Sequence, residues 1–157
     1  MAQRAGFDYG PGMSTHPVGE WTLRCDGGSR GNPGPGAFGF VLSDGEGKER
    51  EARGEYVGTV TNNVAEYKAL IAGLEAAVRH GVRSLRVVMD SELVIRQMTG
   101  EYRVKNEGLK PLHAEARRKA AALGEVAYRS VGREDNERAD QLVNEALDKV
   151  LGSESPR

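Results

Sequence analysis

The chain has a single cysteine, Cys25, few aromatic residues (6%) and no apolar run of membrane-spanning length. One cysteine excludes an intramolecular disulfide and fits a reducing compartment, so a cytoplasmic protein is expected. A transmembrane helix needs roughly 18 consecutive apolar residues, and no stretch approaches that. The opening MAQRAGFDYGPGMSTHPVGE lacks the apolar segment of a secretion signal. Charge of one sign is also missing: the formal net charge is −1, which gives the whole chain no attraction to polyanions. Histidine is scarce. His16, His80 and His113 lie far apart and Cys25 is alone, a poor set for zinc.

The 157 residues that remain to be explained suit one domain with a real core. Residues 1–19 are expected to be a flexible leader, 20–151 the folded domain and 152–157 a frayed tail. Trp21 to Asp26 alternates as a strand with Trp21, Leu23 and Cys25 on one face, which makes Cys25 a core residue rather than a nucleophile. Ala37 to Leu42 and Arg50 to Val57 read as two more strands, together an antiparallel meander. A helix follows from Asn63 to His80, opened by Thr61 or Asn62 and closed by Gly81. Then come a strand at Leu85 to Asp90, a short helix at Ser91 to Met98, a helix at Leu112 to Leu123 and a strand at Val126 to Val131. A last helix carries Ala139, Leu142, Val143, Ala146, Leu147 and Val150 as its apolar stripe. The order is βββαβααβα, an α/β domain.

Four carboxylates occupy positions where charge has little structural use. Asp26 and Asp90 each close a strand, the edge at which α/β sheets collect ligands. If those strands are parallel neighbours, the two acids come within reach of one ion. Glu66 shares a helical line with Leu70, Gly73 and Ala77 that should face the sheet, where an unpaired charge is expensive. Asp140 borders the stripe of the last helix and would be unremarked alone. Oxygen ligands without histidine or cysteine favour Mg²⁺ or Mn²⁺. Two such ions could activate water against a phosphodiester. Spacing leaves the alternative open that these are four unrelated acids bonded to backbone or to arginine.

The run Gly34-Pro35-Gly36-Ala37-Phe38-Gly39 matches a dinucleotide-binding pattern in letters only, because a strand follows where a helix should open. GGSRGNPGPG reads instead as a sharp connection between strands one and two. Its glycines would let backbone N–H groups approach phosphate or sugar, and Asn32 could both donate and accept toward a ribose hydroxyl.

The blocks DGGSRGNPGPGAFG, TNNVAEYKALIAGL, VVMDSELV and NERADQLVNEAL, in that order, resemble those of type 1 ribonuclease H, over Trp21 to about Val150. The resemblance implies a ribonuclease H-like fold: a mixed five-stranded sheet, three strands antiparallel and then two parallel, flanked by helices. It implies an endonuclease that cuts the RNA strand of RNA–DNA hybrids with two Mg²⁺, or Mn²⁺, leaving 5′-phosphate and 3′-hydroxyl ends. Asp26 would bridge both ions, Glu66 and Asp90 would complete one shell, and Asp140 would hold the ion that positions water. Gly27, Gly28, Asn32, Asn62 and Asn63 would contact sugars of the hybrid, so recognition is of shape rather than sequence. A monomer with no membrane association and no obligate protein partner is expected.

Two departures from the family pattern stand out. The loop SVGREDNERAD lacks the histidine that many members carry there, and Arg133 is expected to take over part of its role, with Glu134 beside it. The basic, tryptophan-bearing protrusion of many members is reduced to TGEYRVKNEGLKP. Residues 101–133 nevertheless hold eight Lys and Arg against four Glu, and affinity should rest on scattered contacts from Arg103, Lys105, Lys110 and Lys119. The rival readings are a hybrid-binding module without catalysis, and a nuclease acting on double-stranded RNA or on ribonucleotides embedded in DNA.

Overall fold

A computed structural model describes residues 19–152. The expected leader and tail lie almost wholly outside the described residues. The elements are β1 (Glu20–Ser29), β2 (Gly34–Ser43), β3 (Glu49–Val60), α1 (Asn62–Arg79), β4 (Ser84–Met89), α2 (Glu92–Thr99), α3 (Lys110–Ala121), β5 (Glu125–Ser130) and α4 (Glu137–Leu151), with a 3₁₀ turn at Arg133–Asp135 before α4. They form one five-stranded sheet in the order β3-β2-β1-β4-β5. β1, β2 and β3 pair antiparallel, and β4 and β5 run parallel to β1. The expected α/β architecture and element order are those observed.

Consecutive strand residues point to opposite faces, and this divides the core in two. Leu23, Cys25, Phe38, Phe40, Val87 and Met89 turn to one face and pack under α1, with α2 and α3 around it. Ala37 turns to the other face and meets Val143 and Leu147 of α4. Small residues set how closely the helices approach. A Cβ on Gly73 of α1 would stand 2.6 Å from Leu23 Cδ1, and one on Gly39 would stand 2.7 Å from the Ala139 carbonyl of α4. β3, at the sheet edge, is exposed over most of its length and alternates Glu with Arg, a charged edge that discourages pairing with other chains.

Local signals fix the helix starts. Thr61 Oγ1 accepts from Val64 N–H at 3.2 Å at the head of α1, and Ser91 Oγ accepts from Val94 N–H at 3.2 Å at the head of α2. α3 starts at Lys110 rather than Leu112, since Pro111 sits in the first turn, where its missing N–H would have no partner.

The largest correction concerns the glycine run. β1 continues to Ser29 and β2 begins at Gly34, so most of GGSRGNPGPG is strand and only residues 30–33 turn. Glycine there does not break the ladder; it lets another backbone come close. A Cβ on Gly27 would overlap the Ala65 carbonyl at the start of α1. Asp26 is accordingly inside β1, opposite Gly39 of β2.

Candidate metal centre

The parallel ladder between β1 and β4 ends at the pair Cys25 and Met89. One step beyond it, Asp26 and Asp90 stand on adjacent strands, at the carboxyl edge expected to gather ligands. α1 crosses this edge with its first turns, because Gly27 leaves no side chain between β1 and Ala65. Glu66, the next residue, is thereby delivered to the same place. Carboxylate oxygens of Asp26, Glu66 and Asp90 all lie within 4.8 Å of one another.

Asp26 is 7% exposed; Glu66, Asp90 and Asp140 are half-buried. Asp140, on the first turn of α4, is not one of that trio. Its carboxyl is near enough to that of Asp26 to disfavour ionisation there. Asn144, one turn on, donates from Nδ2 to Asp140 Oδ2 at 3.3 Å.

Crowding carboxylates away from water disfavours ionisation. Asp26 is pushed up to about 8, by burial first and then by the charges of Asp90, Asp140 and Glu66. Glu66 is pushed up to about 7, chiefly by burial and also by Asp90, while a hydrogen bond from Ser91 and the charge of Arg133 hold it back. Such a set of oxygen donors, short of positive charge and clustered on rigid elements, fits a hard divalent cation. Cys25, next to Asp26, plays no nucleophilic part: it is fully buried, and burial holds its thiol well above the usual range.

Arg133 lies in the 3₁₀ turn with 84% of its side chain exposed, its Nε 3.7 Å from Asp90 Oδ2. Glu134 is exposed alongside. The asparagines lie beyond Asp26 at the same carboxyl end of β1. Asn62 Oδ1 accepts from Ser29 N–H at 2.8 Å and from Ser29 Oγ at 3.2 Å. Asn32 Oδ1 accepts from Asn62 N–H at 2.9 Å. Both side-chain oxygens are therefore engaged within the protein, and the N–H₂ donors of Asn32 and Asn62 make none of the hydrogen bonds that hold this corner together. Gly28 lies beneath this pair, a Cβ there coming 3.7 Å from Asn62 Oδ1, and Asn63 is half-buried in the same turn of α1.

Sequence reasoning passed over Asn136. It is 1% exposed at the head of α4 and donates from Nδ2 to the Cys25 carbonyl at 2.8 Å. The only signal in the sequence was an N-cap residue before the stripe of α4, which reads as an exposed cap.

Of the four cations expected to hold substrate, two are already paired: Lys110 with Glu107 at 2.8 Å and Lys119 with Glu75 at 3.1 Å. Among the described residues no helix is long and apolar enough to cross a membrane.

A family model described as reverse transcriptase-like matches residues 24–146. A ribonuclease H of Hydrogenovibrio crunogenus is 34% identical over 147 residues, covering 85% of this chain and 99% of that protein. The chain belongs to the ribonuclease H family. Within that family it is also similar to a bifunctional protein of Mycobacterium tuberculosis, 39% identical over 148 residues that cover 85% of this chain. The chain spans only 41% of that larger relative's length. Among solved structures, LC11-RNase H1 in complex with an RNA/DNA hybrid superposes with a TM-score of 0.80 at 42% identity, covering 84% of this chain and 99% of that one. These matches support the type 1 branch of the family, to which the sequence blocks bear their resemblance.

Proposed function

We propose that this protein is an endoribonuclease that hydrolyses the RNA strand of RNA–DNA hybrids, using two Mg²⁺, with Mn²⁺ as an alternative, and leaving 5′-phosphate and 3′-hydroxyl ends. The observation that carries this reading is the meeting of Asp26, Glu66 and Asp90 within 4.8 Å, with Asp140 beside Asp26. A structural relative bound to an RNA/DNA hybrid supports the choice of substrate.

Asp26, Glu66, Asp90 and Asp140 would hold the cations, with Asp26, flanked by the other three, as the bridge. When bound, the cations lower the pKa of a water and neutralise charge developing on the phosphate. The remaining work belongs to the chain's own groups. Anchoring of the acids on β1, directly after β4 and near the start of α1 keeps the donors fixed, so little reorganisation is needed during reaction. Asn32 and Asn62, oxygens engaged, present N–H donors to sugar or phosphate oxygens, and Asn63 with the backbone at Gly27 and Gly28 completes a surface that reads sugars rather than bases. Arg133, exposed to solvent and paired with Asp90, would contact the scissile phosphate or ease departure of product. The protein would act in the cytoplasm as a monomer, without an obligate partner.

A module that binds hybrid without cutting it would have no use for buried, mutually repelling acids, and the pushed-up carboxyls of Asp26 and Glu66 argue against it. The test is incubation with hybrid, RNA duplex, DNA duplex and single strands in Mg²⁺, Mn²⁺ or EDTA. Metal-dependent cutting of the RNA strand of the hybrid is expected. Intact hybrid in every lane, with binding preserved, would reject the proposal, and efficient cutting of RNA duplex would favour the broader nuclease.

A further inference from the structure

Asn136 is the one buried residue in an exposed stretch: Arg133, Glu134, Asp135, Glu137 and Arg138 around it all face solvent. Its side-chain amide donates to the carbonyl of Cys25, the residue before Asp26, at 2.8 Å. Its own backbone carbonyl accepts from Asp140 N–H at 3.2 Å. Two hydrogen bonds through a single residue therefore join the strand that carries Asp26 to the helix that carries Asp140.

Other directed contacts of α4 with the sheet run between solvent-exposed charged side chains, Arg138 Nε to Glu49 Oε2 at 3.2 Å and Arg30 Nη2 to Asp148 Oδ1 at 2.9 Å, and such exposed pairs hold a helix only loosely. Val143 and Leu147 pack on Ala37, and the backbone of α4 rests on Gly39 and Gly54. Apolar packing against glycine resists separation but only weakly resists sliding along the helix axis. Asn144 orients the Asp140 carboxylate, yet it lies on α4 itself and would move with the helix. Arg24, half-buried on β1, adds a second tie, Nη1 to the Asp135 carbonyl at 2.9 Å, but to the turn before α4 rather than to α4 itself.

Asn136 also carries an unmatched feature. Its Oδ1 is buried without a hydrogen-bond partner among the described residues. An apolar side chain of the same shape would fill the space with no stranded oxygen, so packing alone is poorly served by an asparagine here. What the amide adds is a directed donor.

We propose that Asn136 is a positioning residue that fixes Asp140 against Asp26 and thereby builds the second cation position of the centre. This rests on the two-cation reading given above. Asn136 itself touches neither substrate nor cation; it sets where α4 begins relative to β1. Partners that orient metal ligands in this way typically contribute about 10–100-fold in metal affinity.

The experiment compares wild type, Asn136→Ala, Asn136→Leu, Asp140→Asn and the double variant Asn136→Ala/Asp140→Asn. Each metal-free protein is titrated with Mn²⁺ by calorimetry, and its thermal midpoint is read in EDTA. Asn136→Leu, which keeps the branched shape of the side chain without its donor, serves if the alanine variant does not fold. Wild type should bind two Mn²⁺. Asn136→Ala should weaken the same binding event that Asp140→Asn removes, by about 10–100-fold, and leave the tighter event unchanged. In the Asp140→Asn background the Asn136 substitution should have no further effect on Mn²⁺ binding. The Michaelis constant for hybrid at saturating Mn²⁺ should not move.

A folded Asn136 variant that binds both ions like wild type, with only a lowered thermal midpoint, would overturn the proposal, leaving Asn136 a plain structural tie. Equal weakening of both events would do so too. A wild type that binds no second Mn²⁺, or leaves hybrid uncut, would instead defeat the functional reading on which the inference stands. The two failures are thus told apart in the wild-type arm.

Discussion

Arg133 holds its Nε 3.7 Å from Asp90 Oδ2 while 84% of its side chain remains in solvent. A pair this exposed adds little to stability. The arginine is thus free to exchange its carboxylate for a phosphate. Substitution by alanine should leave the thermal midpoint within about 1 °C, in line with the ±0.5 kcal/mol typical of surface changes. Turnover should fall on the order of 10-fold, less than the roughly 10²–10⁴-fold typical of a general acid or base. Arg133→Lys should recover part of it. Wild-type turnover in the alanine variant would make Arg133 an ordinary surface residue.

Asp26→Asn should abolish measurable turnover and yet stabilise the metal-free protein. The folded pKa of Asp26, about 8, lies above the unfolded value near 3.8. Below both values the carboxyl is protonated in each state and carries no penalty. As pH rises from about 4 to about 8 the unfolded chain sheds the proton first, so folding stability falls. Glu66, pushed up to about 7, acts in the same direction. The stability difference between Asp26→Asn and wild type in EDTA should therefore widen with pH across this window and level off above it, reaching a few kcal/mol. Denaturant melts at pH 5, 6.5 and 8 measure it, and a constant difference would contradict the burial of charge at Asp26.

Divalent cation should reverse that trend. Binding to the folded state alone stabilises it by mass action, about 2.7 kcal/mol at one hundred times Kd. The gain from Mg²⁺ should be larger at pH 8 than at pH 5, where protons compete for the same carboxylates. A thermal midpoint that ignores Mg²⁺ at pH 8 would argue that the acids do not form a metal site.

Gly27→Ala should damage fold and site together. The added Cβ would overlap the Ala65 carbonyl, a backbone group that cannot rotate away. Overpacking of this kind costs about 1–3 kcal/mol. Since relief requires α1 to move off β1, Glu66 would leave Asp26, and Mn²⁺ affinity should drop with stability. Retention of both would show that α1 does not depend on this close approach.

Hybrid affinity should be modest and fall with salt. Lys110 and Lys119 are already engaged by Glu107 and Glu75, which leaves Arg103 and Lys105 to contribute more. Lys105→Ala should lower the slope of log affinity against log salt by about 0.7–0.9 if the residue meets one phosphate. Binding isotherms at several salt concentrations decide it; tight, salt-insensitive binding would count against this reading.

Periodicity and end signals in the sequence were enough to determine the element order. Leu23 and Cys25 alternate, Leu70, Gly73 and Ala77 recur at helical spacing, and Thr61 and Ser91 announce helix starts; each is a local property of the chain. The same patterns singled out Asp26, Glu66 and Asp90 as charges in the wrong place. Only the tertiary structure decided that these acids meet, because their separation depends on which strands are neighbours and on how closely α1 can lie over Gly27. It also turned the glycine run into strand, since pairing with β2 and contact with Ala65 outweigh the weak local preference of glycine. Asn136 drew no notice in the sequence, and folding buried it against Cys25, a residue 111 positions away. Local preference is written residue by residue, whereas the distance between Asp26 and Asp140 is a property of packing between elements remote in the chain.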